Sequence, residues 1–211
     1  DGGVILLRAA DEKMGLTEAM AGALRDPRQP GKVRHPLQEM MRERVLGIGC
    51  GYPDVNDAAR PTKDPAMRLC CDRRDDSLAS QPTLSRFENA ATSTDLLRMG
   101  YAFTDRVIAH EQAKRRRARV RRITLDMDPT EDRTYGGQQL TFFNAFYDNW
   151  CYLPMVTTVQ FNDEPGHYLV APLLRPGNAK AHLGALAILK RLLPRLRAAF
   201  PKARVFVRLD G

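Results

Sequence analysis

The sequence predicts a mixed α/β protein, in which a helical N-terminal region precedes elements in the order β-β-β-α-β. Three observations predict it. Apolar side chains recur at helical spacing through residues 10–113. Beyond them, short runs rich in β-branched and aromatic residues alternate with turn residues, as in strands. The amphipathic stretch 179–200 separates the last two of these runs. We therefore divide the chain into a helical region, 1–113, and an α/β region, 114–211.

The helical region contains three well-marked helices and one short helix of functional interest. Apolar periodicity predicts the longer helices at 14–24, 37–48 and 96–113. The pattern Ser85-x-x-Glu88 is typical of a capping box, although the short helix could also begin near Thr83. A short helix that opens with polar and basic residues is typical of the recognition helix of a helix-turn-helix, but any capped amphipathic helix gives the same pattern. The candidate DNA-binding residues of this helix are Thr83, Ser85 and Arg86.

The α/β region contains a first and a last strand-like run, two or three more runs between them, and one long helix. Turn residues at 162–166 predict a hairpin between two of the strands. The helix at 179–200 carries a leucine stripe, and Pro194 should kink it or split it in two. The predicted strands are 120–126, 139–147, 153–161, 167–174 and 203–209. A right-handed crossover through the helix predicts that the first and last of them are neighbours in one mixed sheet.

Two carboxylates end the first predicted strand, and one follows the last. Asp126 and Asp128 are two residues apart, so on a strand both side chains project from one face. Carboxylate oxygens are the ligands that Mg²⁺ or Mn²⁺ prefers, and two such ions can cleave a phosphodiester by activating water and stabilising the leaving oxygen. With Asp210 after the last strand, this order is typical of a ribonuclease-H-like phosphoryl-transfer site, and Asp126 or Asp128 should lie within about 4–8 Å of Asp210. For each acid alone, a turn or helix cap is the alternative.

The net charge and one basic run indicate a polyanionic partner. The formal net charge is +8, and phosphates neutralised by such a protein release counterions. The run at 114–122 joins the two regions and could grip a DNA backbone, although a solvated linker is the alternative. Its candidate DNA-binding residues are Arg115, Arg116, Arg117 and Arg119.

The remaining composition excludes several classes of protein. No stretch approaches the roughly 18 consecutive apolar residues of a membrane span. The four cysteines include no C-x-x-C pair and the four histidines show no metal-ligand spacing, so structural zinc and a disulfide framework are not expected. A reducing cytoplasm fits this use of cysteine best.

Several segments, taken together, resemble those of one family. They are 2–8, 78–88, 125–132 (LDMDPTED), 135–139, 143–144, 151–154, 174–178 and 208–211. On these segments the chain is similar, over nearly its whole length, to bacterial insertion-sequence transposases of the IS1380 group, within the wider IS4-like set of DDE transposases. Tyr135 stands where that family often has His.

The resemblance implies a ribonuclease-H-like domain with an Asp-Asp-Glu triad that binds divalent metal. It implies a cytoplasmic, nucleoid-associated enzyme that binds the terminal inverted repeats of its element, as a homodimer on DNA, and cuts and rejoins the DNA there. Asp126 is the first choice for the opening Asp, with Asp128 close behind because an Asp-x-Thr alignment favours Asp128. Asp210 resembles the second Asp. The Glu would lie beyond Gly211, in a missing C-terminal half, so we expect residues 1–211 alone not to cleave DNA.

Two other functions remain open on the sequence. The chain could be a non-catalytic nucleic-acid-binding remnant of a decayed element. It could also be an unrelated ribonuclease-H-like nuclease, which the helical region disfavours because such a nuclease would lack it.

Overall fold

The computed structural model describes residues 2–73, 77–115 and 119–209. The chain divides into two compact units, Asp1–Arg106 and Val107–Gly211, and the boundary falls within one long helix. Each unit has buried apolar side chains of its own.

The first unit is helical. One buried cluster is built from Val4, Leu46, Met67, Cys70, Cys71 and Leu78, and a second from Met40, Ala58, Ala79 and Leu84. Short 3-10 segments lie at Pro30–Lys32, Val55–Ala59 and Pro61–Lys63. The α-helices are α1 (Gly3–Met14), α2 (Leu16–Gly22), α3 (Leu37–Gly49), α4 (Pro65–Cys70), α5 (Gln81–Ala90) and α6 (Ser93–Lys114), the last of which continues into the second unit.

Two helix starts in this unit differ from the sequence prediction. α5 begins at Gln81, so Ser85 and Glu88 lie inside the helix and the predicted capping box is wrong. The reciprocal cap occurs at α6 instead: the Asp95 N–H donates to Thr92 Oγ1 at 3.2 Å, and the Thr92 N–H donates to Asp95 Oδ2 at 3.1 Å. The pattern of a Ser or Thr three residues before an acid therefore occurs both inside a helix, at Ser85 and Glu88, and at a helix start, at Thr92 and Asp95. It forms a cap only at the helix start.

The second unit contains two sheets. The larger has four strands in the order β6-β5-β1-β7, and the smaller has three in the order β2-β4-β3. β1 is antiparallel to β5 and parallel to β7. The strands are β1 (Arg122–Pro129), β2 (Asp132–Arg133), β3 (Phe142–Asn144), β4 (Asn149–Tyr152), β5 (Met155–Phe161), β6 (His167–Leu173) and β7 (Arg204–Leu209).

The larger sheet confirms the predicted mixed sheet, with its first and last strands as neighbours. The turn between β5 and β6 also lies where it was predicted. The predicted strand at 139–147 is wrong, because only Phe142–Asn144 is extended and it pairs with β4 in the smaller sheet. The chain turns immediately after β3, where Asn144 Oδ1 accepts the Phe146 N–H at 3.0 Å.

A single helix, α7 (Ala185–Ala199), precedes β7. Its buried side chains Ile188, Leu192 and Leu196 form one stripe. The ring of Phe200, just after α7, packs on the ring of Phe161 in β5, with the two ring centroids 5.3 Å apart. α7 begins six residues later than predicted, and Pro194 does not split it. This architecture is mixed α/β, a helical part followed by a mixed sheet, and is consistent with a partial ribonuclease-H-like domain.

No helix within the described ranges is both long and apolar enough to cross a bilayer. All four cysteines lie within those ranges and are free thiols.

Candidate active site at the ends of two parallel strands

The two acids of β1 project from one face but lie in different surroundings. Asp126 is partly buried, with its side chain 23% exposed, whereas Asp128 is exposed. The intervening Met127 is buried and belongs to the opposite face. Alternation along the strand therefore places both carboxylates on one side of the sheet, as predicted.

Asp126 is held by an arginine of the neighbouring strand. Parallel pairing places Arg208 of β7 directly opposite Asp126. Arg208 Nη2 donates to Asp126 Oδ2 at 2.7 Å, and Arg208 Nε donates to Asp126 Oδ1. Both carboxylate oxygens therefore accept from one guanidinium, which is the strong bidentate geometry of arginine.

The electrostatics of Asp126 follow from that pair. The hydrogen bonds from Arg208 hold the pKa of Asp126 below its usual value, and the same bonds raise the pKa of Arg208. His167, at the start of β6, has Nδ1 3.6 Å from Asp126 Oδ2. Asp126 is thus an ionised carboxylate with one arginine bound to it and one imidazole close by.

Asp128 is in a different state. Among the described residues, no donor or cation binds its carboxylate. Met127 and Leu209 are the last described pair of β1 and β7, and the next residues along the chain are Asp128 and Asp210. Asp210 lies outside the described residues, so the predicted distance to it stays a prediction.

The donor set around β1 is chemically suited to a hard divalent cation. Asp128 offers free carboxylate oxygens at a strand end. No cluster of three or more potential metal ligands occurs within residues 2–73, 77–115 and 119–209. The described acids would therefore supply part of a coordination shell, and water or further acids would have to complete it.

The smaller sheet is anchored beside these acids. The Thr130 N–H donates to the Pro154 carbonyl at 2.9 Å, which ties the end of β1 to the start of β5. Asn144 Nδ2 donates to the Gly177 carbonyl at 2.8 Å. A Cβ at Gly177 would meet the carbonyl oxygen of Cys151 and lie 2.6 Å from that of Phe142. The close backbone approach explains why glycine is needed there.

The buried Arg175 joins the segment before α7 to the start of β5 through backbone carbonyls. It is 3% exposed and donates to the carbonyls of Leu153 at 2.7 Å, Ala181 at 2.8 Å and Leu183 at 3.0 Å. The turn before α7 is therefore bound to the start of β5, which accounts for the late start of that helix. Four segments that carry the family resemblance, at 143–144, 151–154, 174–178 and 125–132, thus meet around the smaller sheet and the end of β1.

The basic run contains both an arginine that is paired with acids and an arginine that is exposed. The Arg115 guanidinium is 7% exposed and pairs with the buried Glu111 and, at 2.5 Å, with Glu164. This pairing weighs against Arg115 as a phosphate ligand, because its charge is already neutralised. Arg116 and Arg117 lie outside the described residues. Arg119 is exposed.

Exposed cations also occur beside Arg119, from elements that the sequence prediction did not associate with it. Arg119 and Lys202 line one cavity of about 420 Å³. Arg204 is the direct strand partner of Arg122, and the Arg204 N–H donates to the Arg121 carbonyl at 2.9 Å. We call Arg119, Arg121, Arg122, Lys202 and Arg204 the basic end of the β1–β7 pair.

The three candidate residues of α5 share a helix but not one surface. Thr83 Oγ1 lies 3.0 Å from Ser80 Oγ, and Arg86 Nη2 donates to Thr83 at 3.4 Å. Thr83 and Arg86 line a cavity of about 320 Å³ within the helical unit, which Ser85 does not reach. Ser85 instead accepts from the Asn89 side chain through its carbonyl, at 2.8 Å.

Arg208 and His167 are the site residues that sequence reasoning missed. Arg208 stands two residues before Asp210, so strand alternation was the available signal that it faces the same side. No comparable signal marked His167.

Comparison with known proteins gives one positive finding. No curated protein matches the chain, and no solved structure matches it. A family model described as transposase DDE domain group 1 matches residues 1–211, which is the whole chain. The paired acids at the end of β1, within a sheet of ribonuclease-H-like order, are in keeping with that match. The chain therefore belongs to the transposase DDE domain family, group 1.

Proposed function

We propose that this chain is part of a DNA transposase of the IS1380 group that binds the terminal inverted repeats of its element and cuts and rejoins DNA there. The observation that carries the proposal is the pairing of β1 with β7. It aligns a strand that ends in Asp126 and Asp128 with one whose next residue after Leu209 is Asp210. Acids that converge at adjacent strand ends are what metal-dependent phosphoryl transfer needs.

In this proposal Asp128 and Asp210, with or without Asp126, hold Mg²⁺ or Mn²⁺, as DDE transposases generally use divalent metal ions. The bound ions would supply charge stabilisation to the phosphodiester and activate water. The chain's own contribution is to orient the carboxylates, which β1 and its anchoring to the smaller sheet accomplish. The exposed position of Asp128 leaves room for a DNA backbone to approach.

DNA binding is proposed for both regions. In 114–211 it is assigned to the basic end of the β1–β7 pair, where exposed arginines and Lys202 face no described acid other than Asp163, which lies 3.4 Å from Arg122. Six residues of strand separate Arg122 from Asp128, or about 20 Å. That span corresponds to about six base pairs of duplex, so one DNA could contact both ends. In 1–113 we assign it to the exposed Arg86 and the neighbouring Thr83, with Ser85 contributing from another side of α5.

We also propose that the protein acts as a homodimer on DNA, in the bacterial cytoplasm and on nucleoid DNA. A two-fold dimer would present one surface to each of two identical inverted repeats.

The test is cleavage by the complete protein of a duplex that carries the element's terminal repeat. Mg²⁺-dependent nicking at the repeat end, abolished by Asp210→Asn with DNA binding retained, is the expected result, because Asn keeps the shape but removes the charge. Specific binding without any nicking in Mg²⁺ or Mn²⁺ would instead favour the non-catalytic remnant. Nicking with no preference for the repeat would favour an unrelated nuclease.

A further inference from the structure

The two acids of β1 differ in one respect that bears on which of them binds metal. Both oxygens of Asp126 accept from Arg208, and the Arg208 side chain is itself 62% exposed. A divalent cation on Asp126 would lie within a few ångströms of a fixed positive charge, and such like-charge proximity is unfavourable. Asp128 has no such cation beside it within the described residues.

The register of the two strands assigns a separate task to the Asp126–Arg208 pair. Six residue pairs join β1 to β7, and Arg122 opposite Arg204 is a pair of like charges. Asp126 opposite Arg208 is the only pair of opposite charges among those six. Cross-strand pairs of opposite charge stabilise a ladder and pairs of like charge destabilise it.

A change in the register of β1 against β7 would break the Asp126–Arg208 ion pair. Sliding β7 by two residues keeps every side chain on its face, but it places Arg208 opposite Thr124 or opposite Asp128. Only the observed register matches Arg208 with Asp126, and it makes Asp128 the residue that follows the last described pair, Met127–Leu209.

We propose that Asp126 is a positioning residue and not a metal ligand: its ion pair with Arg208 fixes the register of β1 on β7 and leaves Asp128 as the first metal-binding acid. This inference rests on the proposed function, because it assigns roles within that metal site. It makes Arg208 a second positioning residue, acting through Asp126.

The test is Mn²⁺ binding by the complete protein, followed by the electron paramagnetic resonance signal of free Mn²⁺. The double variant Asp126→Asn/Arg208→Gln removes the pair without changing net charge and keeps both shapes. Because it removes a positioning pair but no ligand, it should weaken Mn²⁺ binding by at most about tenfold, the lower end of the loss typical of groups that act through a ligand. Asp128→Asn removes a ligand carboxylate and should weaken Mn²⁺ binding by more than about 100-fold.

A single variant supplies a signature that a merely structural role would not give. Arg208→Gln leaves Asp126 as an uncompensated carboxylate next to the site, so Mn²⁺ affinity should rise several-fold, and adding Asp126→Asn should reverse the gain. Arg204→Gln is the matched control, because it removes an equal charge from the same face of β7, about 13 Å further along the strand. It should leave Mn²⁺ affinity near that of the unchanged protein. Arg208→Lys, which keeps the charge, serves if Arg208→Gln does not fold and should also leave the affinity unchanged.

The outcomes separate this inference from the proposed function. A loss of Mn²⁺ affinity in the double variant as large as the loss in Asp128→Asn would make Asp126 a ligand and overturn the inference while leaving the metal-dependent function intact. Absence of Mn²⁺ binding by the unchanged protein, together with absence of nicking, would contradict the proposed function and the inference with it.

Discussion

The two ends of the β1–β7 pair are built from opposite arrangements of charge. Where the strands begin, Arg122 and Arg204 face each other and further exposed cations lie beside them. Where they end, Asp126 is neutralised by Arg208, and Asp128 follows without a described partner. The uncompensated positive charge at the first end suits a polyanion. At the second end, which we call the acidic end (Asp126 and Asp128), Asp126 is paired within the protein and Asp128 is left for a cation. This difference is the reason that the proposed function assigns phosphate binding to the basic end and metal-dependent chemistry to the acidic end.

The largest expected effect concerns the smaller sheet, which is anchored to the end of β1 beside Asp126 and Asp128. Gly177→Ala should lower the free energy of unfolding by about 3 kcal/mol, because the added Cβ would press on the carbonyls of Cys151 and Phe142 and overpacking has costs of this size. Gly137→Ala is the matched control, since a Cβ there has no neighbour within 4 Å. Urea denaturation measures both. Equal stability of the two variants would show that the smaller sheet yields easily at this contact.

The basic end is tested by the salt dependence of DNA binding. Arg119→Ala/Lys202→Ala should reduce the slope of log K against log salt by about 2, close to 0.9 for each lost phosphate contact. Lys190→Ala/Arg191→Ala, which removes two exposed cations from α7, controls for the change in net charge and should leave the slope nearly unchanged. Fluorescence anisotropy over a salt series provides the measurement. If both double variants behaved alike, only overall charge would matter.

Charge reversal on β7 sharpens the comparison directly. Arg204→Glu converts a like-charge pair with Arg122 into an attractive one and should stabilise the protein by about 0.5 kcal/mol. Arg208→Glu places a second carboxylate opposite Asp126 and should lower the thermal midpoint. Calorimetry of both variants gives the sign of each effect. If both variants were stabilised, or both destabilised, the charges of Arg122 and Asp126 on β1 would not determine the stability change.

The smallest expected effect concerns Lys114 and Arg115, the two cations near the basic end that are paired with Glu164. The hydrogen bond from Lys114 lowers the pKa of Glu164, which also binds Arg115. A carboxylate whose pKa falls on folding stabilises the protein above its unfolded pKa, and that stability is lost as pH falls through the folded pKa. Glu164→Gln should therefore lower the thermal midpoint at pH 6, and the difference from the unchanged protein should vanish as pH approaches 3. A difference that did not depend on pH would indicate lost packing.

Short-range patterns predicted the frame of the molecule well. Alternating and helical periodicities located β1, β5, β6 and β7, and the crossover rule paired the first with the last. The smaller sheet was not predicted, because its strands are two to four residues long and an aromatic run that resembles one strand turns at Asn144. Local patterns cannot distinguish a long strand from a tight hairpin of similar composition.

The site was predicted only in part. Asp126 and Asp128 share a face, as their spacing predicts. Their different surroundings could not be predicted, because the partner of Asp126 lies 82 residues away and depends on the register of two strands. Arg115 illustrates the same limit: its place in a basic run suggested DNA, but Glu111 and Glu164 neutralise it.

The central claim is that acids at the end of β1 act with a divalent cation on DNA. The most direct measurement compares the complete protein with its Asp128→Asn variant in nicking a duplex that carries the terminal repeat, in Mg²⁺ and in excess chelator. The account predicts nicking by the unchanged protein in Mg²⁺ alone, and none by the variant, which should bind the same DNA with undiminished affinity. Nicking by the variant at the rate of the unchanged protein, or nicking in chelator, would contradict the account.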